Sequence, residues 1–172
     1  MKIILNETAM NLTIKRLCHQ IVEQNPTPSQ TVLIGLQPRG VHLMQRLKTY
    51  FNTHISPNYN WGKLDITFYR DDIKKQLHLP TESNMPCSLD HKNVVLIDDV
   101  MFTGRTVRSA LDAILDFGRP AQVQLCVLIN RNLSREFPIQ PDYIGRRINT
   151  LATHKVRVSW PEIHGVQQVA VW

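Results

Sequence analysis

The sequence predicts an α/β domain built on an open, mostly parallel sheet. Three observations carry this expectation. Short, branched and largely apolar runs recur at 31–36 (TVLIGL), 94–97 (VVLI) and 121–129 (AQVQLCVLI). Strands without a polar face are those buried on both sides, as parallel strands are. Between the runs lie stretches with helical apolar spacing, and the length of 172 residues suits a single core, at a size where folding hides roughly 70% of the unfolded surface.

Taken in order, Met10, Ile14, Leu17, Cys18 and Ile21 recur at the period of an amphipathic helix across 6–25, with Asn6 as N-cap and Pro26 as stop. The strand at 31–36 ends in Gln37, Pro38, Arg39 and Gly40, a turn, after which Val41, Met44, Leu47 and Phe51 restart the helical period. Residues 64–69 (LDITFY) read as a further strand. The stretch 74–91, broken by Pro80 and Pro86, reads as a mobile loop without core residues. The strand at 94–97 leads to a helix at 106–117, with Val107, Ala110, Leu111, Ile114 and Phe117 on its buried face and Gly118 closing it. Residues 155–160 and 166–172 read as short antiparallel strands.

Composition narrows the class. A hydrophobic fraction of 42% and a charged fraction of 20% exclude disordered, collagenous and coiled-coil chains. The longest apolar runs are a few residues, against the ~20 that cross a bilayer, and residues 1–5 carry no signal-peptide core. A soluble cytoplasmic protein is expected. Cys18, Cys87 and Cys126 share no metal-ligand spacing, so buried or idle thiols are expected. The net charge of +6 favours anionic ligands, phosphates or nucleic acid.

The chemistry concentrates in 94–106 (VVLIDDVMFTGRT). Four apolar residues carry the chain through the sheet, and Asp98 and Asp99 emerge together at its carboxyl edge, where open α/β sheets bind ligands. Phe102, Thr103, Gly104, Arg105 and Thr106 then offer backbone N–H groups, two hydroxyls, a residue without Cβ and the positive end of a helix, a cradle for a monophosphate. Paired acids beside it suit the vicinal hydroxyls of a sugar phosphate. No GxxxxGK[ST] or GxGxxG occurs, which disfavours nucleotide triphosphate hydrolysis and dinucleotide binding.

This segment resembles the phosphoribosyl diphosphate (PRPP) motif of type I phosphoribosyltransferases. Within that class LDITFYRDD, RTVRSALDAILDFGRP, FPIQPDYIG and KVRV resemble, in order and spacing, the PyrR family of pyrimidine-operon regulators that are also uracil phosphoribosyltransferases. The resemblance runs from about Leu5 to Val158. It implies a type I phosphoribosyltransferase fold, a five-stranded parallel sheet with a small hood formed mainly by the two terminal segments, as one domain over 1–172. It implies that Asp98 and Asp99 bind the ribose hydroxyls directly or through Mg²⁺, that Phe102, Thr103, Gly104, Arg105 and Thr106 hold the 5-phosphate, and that Gln37, Pro38, Arg39 and Gly40 form the pyrophosphate loop. Tyr69, Arg70, Asp71 and Asp72 would open a flexible loop over the site, with Arg39 and Arg70 joining the two acids as catalytic residues. Asn130 and Arg131 fall in the base-recognition stretch.

The chain departs from the family at two places. Gln37 and Pro38 stand where relatives carry Lys-Thr, which removes one charge and one backbone donor; an X–Pro bond at this turn suits a cis geometry. Asn130, Arg131 and Asn132 stand where relatives carry Asp-Arg-Gly. The resemblance further implies leader mRNA as a partner, with Lys15, Arg16 and His19 on the polar face of the first helix as RNA-binding residues, and a homodimer or higher oligomer; neither DNA nor membrane is expected. The expected function is conversion of uracil and PRPP to UMP and pyrophosphate with regulation of pyrimidine genes. The alternatives are transfer to another nucleobase, or a non-catalytic regulator that senses UMP and binds RNA.

Overall fold

The computed structural model describes residues 1–69, 82–133 and 135–172. Helix α1 (Glu7–Gln24) starts at Asn6, whose side-chain oxygen accepts the Ala9 N–H at 2.9 Å, and ends at Asn25, ahead of Pro26. Its five predicted apolar positions are all buried, each contributing about 1.5–3 kcal/mol by leaving water.

Strand β2 (Thr31–Leu36) is buried along its whole length and leads through the Gln37–Arg39 turn into α2 (Gly40–His54). With β3 (Asn60–Leu64), β4 (Asn93–Met101), β5 (Gln122–Arg131) and β6 (Tyr143–Ile148) it forms a five-stranded, all-parallel sheet in the order β3-β2-β4-β5-β6. The two-residue period of the strands divides the core. Leu33, Val95 and Ile97 pack with α1 and α2, whereas Val32, Ile34, Leu36, Val94 and Leu96 pack with α3 (Arg105–Ala113). A second, antiparallel sheet joins the termini: β1 (Lys2–Leu5) pairs with β8 (Gln168–Val171), and β8 with β7 (Val156–Ser159), in the order β1-β8-β7. The short helix α4 (Pro161–His164) links β7 to β8.

Four expectations are corrected. The third strand of the sheet is Asn60–Leu64 rather than 64–69. At Asp65 the chain turns, because its carboxylate accepts the Thr67 N–H at 2.8 Å and the Thr67 hydroxyl at 2.5 Å, a local bond that competes with the ladder. The 3-10 turn Thr67–Tyr69 follows. Residues 82–91 do supply core: Leu89 is fully buried, and Met85 and Cys87 pack against the same cluster. The third helix ends at Ala113 and continues as the 3-10 turn Ile114–Phe117, which Gly118 closes. Its expected core residue Leu111 is 37% exposed.

Candidate active site

The site is built where β4 leaves the sheet. Asp98 and Asp99 are its sixth and seventh residues and are 7% and 6% exposed. Strand alternation alone sends adjacent side chains to opposite faces, yet the two carboxyls lie close enough to hydrogen-bond to each other. Burial, reinforced by the neighbouring Asp99, raises Asp98 well above the usual carboxylate range. Burial also raises Asp99, against the pull of the Arg39 guanidinium. The Asp99 N–H donates to Asp98 Oδ1 at 2.9 Å, tying the two acids together at the strand end.

The chain then runs over a crevice of about 320 Å³ lined by Asp98 and residues 100–106. Gly104 has φ +97, in the left-handed region, and offers no side chain to cap the helix that begins at Arg105, whose own N–H reaches Thr103 Oγ1 at 3.4 Å. The N–H groups that follow in the first turn of α3 are directed toward the turn. The turn is fixed from behind: the Thr103 carbonyl accepts the Glu136 N–H at 2.9 Å and the Phe137 N–H at 3.3 Å, and Arg105 Nε pairs with Glu136 at 2.7 Å.

The Gln37–Arg39 turn approaches the same edge. Its Gln37–Pro38 bond is cis, as the sequence suggested. Gly40 packs so tightly on β4 that a Cβ there would lie 2.2 Å from the Ile97 carbonyl oxygen and 3.0 Å from Asp98 Cα. This contact holds the exposed Arg39 close enough to lower both carboxyls. Helix α2 likewise starts without a side-chain cap.

At the end of β5, Asn130 is 1% exposed and Arg131 5%. The Arg131 guanidinium lies 3.9 Å from the Phe102 ring centroid and donates to Thr150 Oγ1 at 2.9 Å and the Leu151 carbonyl at 2.8 Å. Its planar fork is thus occupied in supporting Phe102. The sequence reading missed Arg135 and Glu136 as site residues. Arg135 donates to the Phe102 carbonyl at 2.6 Å and to Asn130 Oδ1 at 2.5 Å, and burial pulls both Arg131 and Arg135 below the ordinary arginine range. Only their position after the last core strand could have flagged them.

Tyr69 donates its hydroxyl to Asp116; Arg70, Asp71 and Asp72 lie outside the described residues. On α1, Lys15 and His19 are exposed, and His19 Nε2 meets Tyr50 Oη at 3.1 Å. Arg16 is turned onto β6, donating to the carbonyls of Ile144 at 3.2 Å and Gly145 at 2.5 Å. Cys18 and Cys126 are buried and Cys87 half-buried; burial pushes Cys18 up to about 12 and Cys126 higher still. Among the described residues, no helix is long and apolar enough to cross a membrane.

Residues 1–163 match the phosphoribosyl transferase domain family. The chain is 40% identical over 174 residues to the bifunctional protein PyrR of Halalkalibacterium halodurans, covering 99% of this chain and 96% of that one. It is 40% identical over 171 residues to the bifunctional protein PyrR of Deinococcus deserti, covering 98% and 93%. The hypoxanthine phosphoribosyltransferase of Trypanosoma cruzi superposes with a TM-score of 0.76 at 16% identity, over 99% of this chain and 95% of that one, a likeness of fold. The chain belongs to the PyrR family of type I phosphoribosyltransferases.

Proposed function

We propose that the chain transfers the phosphoribosyl group of PRPP to uracil at the β4 edge, and couples pyrimidine nucleotide binding to RNA through α1. The single observation supporting the catalytic half is that three pieces gather on the end of β4: the buried Asp98–Asp99 pair, the Gly104 turn that follows it, and Arg39 held beside both acids by Gly40. In the reaction, the bond from C1 of the ribose to the pyrophosphate oxygen breaks, a bond from C1 to uracil N1 forms, and the N1 proton passes to the departing pyrophosphate or to solvent. Positive charge develops on the ribose and negative charge on the leaving group.

Each piece has a task in that displacement. Thr103, Gly104, Arg105 and Thr106 anchor the 5-phosphate, with Phe102 braced by Arg131 at the mouth. Asp98 and Asp99, once ionised, accept hydrogen bonds from the ribose 2′ and 3′ hydroxyls and lie beside the developing cation. Gln37, Pro38, Arg39 and Gly40 receive the pyrophosphate, Arg39 supplying the positive charge. Tyr69, Arg70, Asp71 and Asp72 are assigned to the segment that excludes water. No side chain acts as a covalent nucleophile. Asn130 is placed beside the base.

Mg²⁺ fits the donor set. Among the described residues no three His, Cys, Asp or Glu side chains converge on one point, whereas two buried carboxylates, Asp98 and Asp99, sit side by side at the end of β4. Mg²⁺ is commonly held this way, by one or two carboxylates, waters and substrate phosphates. Asp98 and Asp99 would hold it indirectly, and it would neutralise charge on the pyrophosphate. For the RNA half, Lys15 and His19 are presented outward while Arg16 is occupied on β6. Contacts of this kind with phosphates give salt-dependent affinity. A homodimer or larger assembly is proposed on the family likeness.

The test is a calorimetric titration of PRPP with Mg²⁺, paired with pyrophosphate release across a panel of nucleobases. Uracil is expected to release pyrophosphate in preference to the others, and Asp99→Asn to weaken PRPP binding by about tenfold or more. An unchanged titration in that variant removes the acids from the assignment, and turnover with another base only removes uracil.

A further inference from the structure

The seam where α1 packs on α2 carries three rings in contact at the surface. His19 of α1 meets Tyr50 Oη through Nε2 at 3.1 Å, and its ring stands edge-on to Tyr50, with centroids 5.7 Å apart and planes at 75°. Tyr50 is half-buried, packed against the core beneath it, and stacks in parallel on His54, with centroids 4.4 Å apart and planes at 13°. The column ends at His54, which is exposed and is the last residue of α2. Thr53 Oγ1 meets His54 Nδ1 at 2.6 Å. That bond lies at the edge of the imidazole and fixes the ring without covering its face. One helical turn before His19 stands Lys15, also exposed, so a cation and the column flank the same side of the buried stripe of α1.

We propose that the His54 end of this column is a stacking subsite for an unpaired RNA base, with Lys15 on a neighbouring phosphate. The inference rests on the RNA reading of α1 made above and names what else that surface holds. A parallel Tyr–His stack is extended by another flat ring, and every nucleobase presents one. In a duplex those faces are already taken up by neighbouring base pairs, so the occupant is a base from a single-stranded loop or end. Electrostatics sorts the two parts of the nucleotide in the same way. The C-terminal end of α2 carries partial negative charge, which disfavours a phosphate beside His54 but not a neutral base. Lys15 attracts the phosphate instead, and the net charge of +6 favours the approach of a polyanion.

The experiment gives the full chain two probes: a single-stranded oligouridylate carrying one 2-aminopurine, whose fluorescence falls when it stacks, and a duplex RNA of equal length. Affinity is read by anisotropy over a series of salt concentrations, and thermal melts establish that each variant is folded. The full chain is expected to prefer the single strand and to quench the 2-aminopurine. His54→Ala is expected to weaken single-strand binding about fivefold or more at every salt concentration and to abolish the quenching, with the salt slope unchanged. Lys15→Gln is expected to do the reverse, flattening the slope of log affinity against log salt by about 0.7 with quenching retained. His54→Phe keeps a ring and loses the bond to Thr53, so it is expected to restore both affinity and quenching. Failure of that rescue assigns His54 a polar role and overturns the stack, as does tighter binding of the duplex. An unchanged slope in Lys15→Gln overturns the placement of the phosphate. A full chain that binds the single strand, with His54→Ala unaltered in affinity and quenching, overturns the subsite and leaves the RNA reading of α1 standing. A full chain that binds neither RNA overturns that reading, and the subsite with it.

Discussion

The first turns of α1 and α3 are opposites. Helix α1 begins on Asn6, extended at φ −83, whose side chain takes the Ala9 N–H, and Glu7 follows as an acid in the first turn. Both features suit the positive end of a helix. Helix α3 begins after Gly104 at φ +97, which supplies no side-chain cap; it has no acid in its first turn and carries the cation Arg105 at its first position, its N–H on Thr103 Oγ1 at 3.4 Å and its Nε on Glu136 at 2.7 Å. By the rules that make α1 start well, α3 starts badly, and what offsets this comes from outside the helix, from the Thr103 hydroxyl and the Glu136 carboxylate. The first end serves the fold; the second is the one proposed to receive the 5-phosphate. Helix α2, likewise uncapped and flanked by Arg39, belongs with α3.

The severest way to break the comparison is at Gly40, the contact that packs the start of α2 onto β4 at Ile97 and Asp98. A Cβ 2.2 Å from the Ile97 carbonyl oxygen meets backbone that cannot swing aside. Gly40→Ala is expected to cost at least about 3 kcal/mol, a fall of roughly 10 °C in Tm for a chain of this size. It is also expected to abolish PRPP binding under conditions where the variant is still folded. Thermal melts followed by calorimetry below the variant's Tm check both, and a well-folded Gly40→Ala with native PRPP affinity contradicts the role of the contact.

Asp98 sharpens the same contrast through pH. Burial and the adjacent Asp99 raise its folded pKa above the unfolded value near 3.9, so the folded chain binds this proton more tightly than the unfolded chain does. Its contribution to stability is therefore most favourable below the unfolded pKa and is lost as pH rises through the raised folded value. A tenfold difference in proton affinity is worth about 1.4 kcal/mol. Asp98→Asn carries no charge to bury, so it is expected to melt higher than the native chain at pH 8, by roughly 3 °C or more, and to lose that advantage toward pH 4. PRPP binding is expected to be lost at both. Identical Tm differences at pH 4 and pH 8 would show that the site acid does not destabilise the fold.

What the sequence could reveal follows from which interactions are local. The β4 tip and the Gly104 turn were legible because hydrophobic run, acids, hydroxyls and glycine are contiguous in 94–106. Asn6 and Pro26 marked α1 for the same reason. Strand β3 was misplaced because NWGK carries a glycine and polar residues at a sheet edge, whereas the apolar-looking LDITFY is bent by the Asp65–Thr67 side-chain bond. Strand β6 was missed because Arg146 and Arg147 disguise an edge strand, one of whose arginines donates to the Ile4 carbonyl. Leu89 looked like loop because its partners, such as Val94 and Ile114, come from other elements. Arg131 was not legible as the brace of Phe102, a contact across 29 residues that no spacing rule encodes.

The mildest test is at the well-made end. Removing the Asn6 side-chain oxygen leaves one N–H of the first turn to water, and caps of this kind are worth about 1 kcal/mol, or roughly 3 °C of Tm in a chain this long. The cap lies at the base of α1, next to β1 and the terminal sheet, and touches neither Asp98 nor the Gly104 turn. Asn6→Ala is therefore expected to lower Tm by that amount at both pH 5 and pH 8, with PRPP affinity unchanged by calorimetry. A fall in PRPP affinity would mean that the two helix starts are coupled through the sheet, and the separation of a folding end from a binding end would have to be given up.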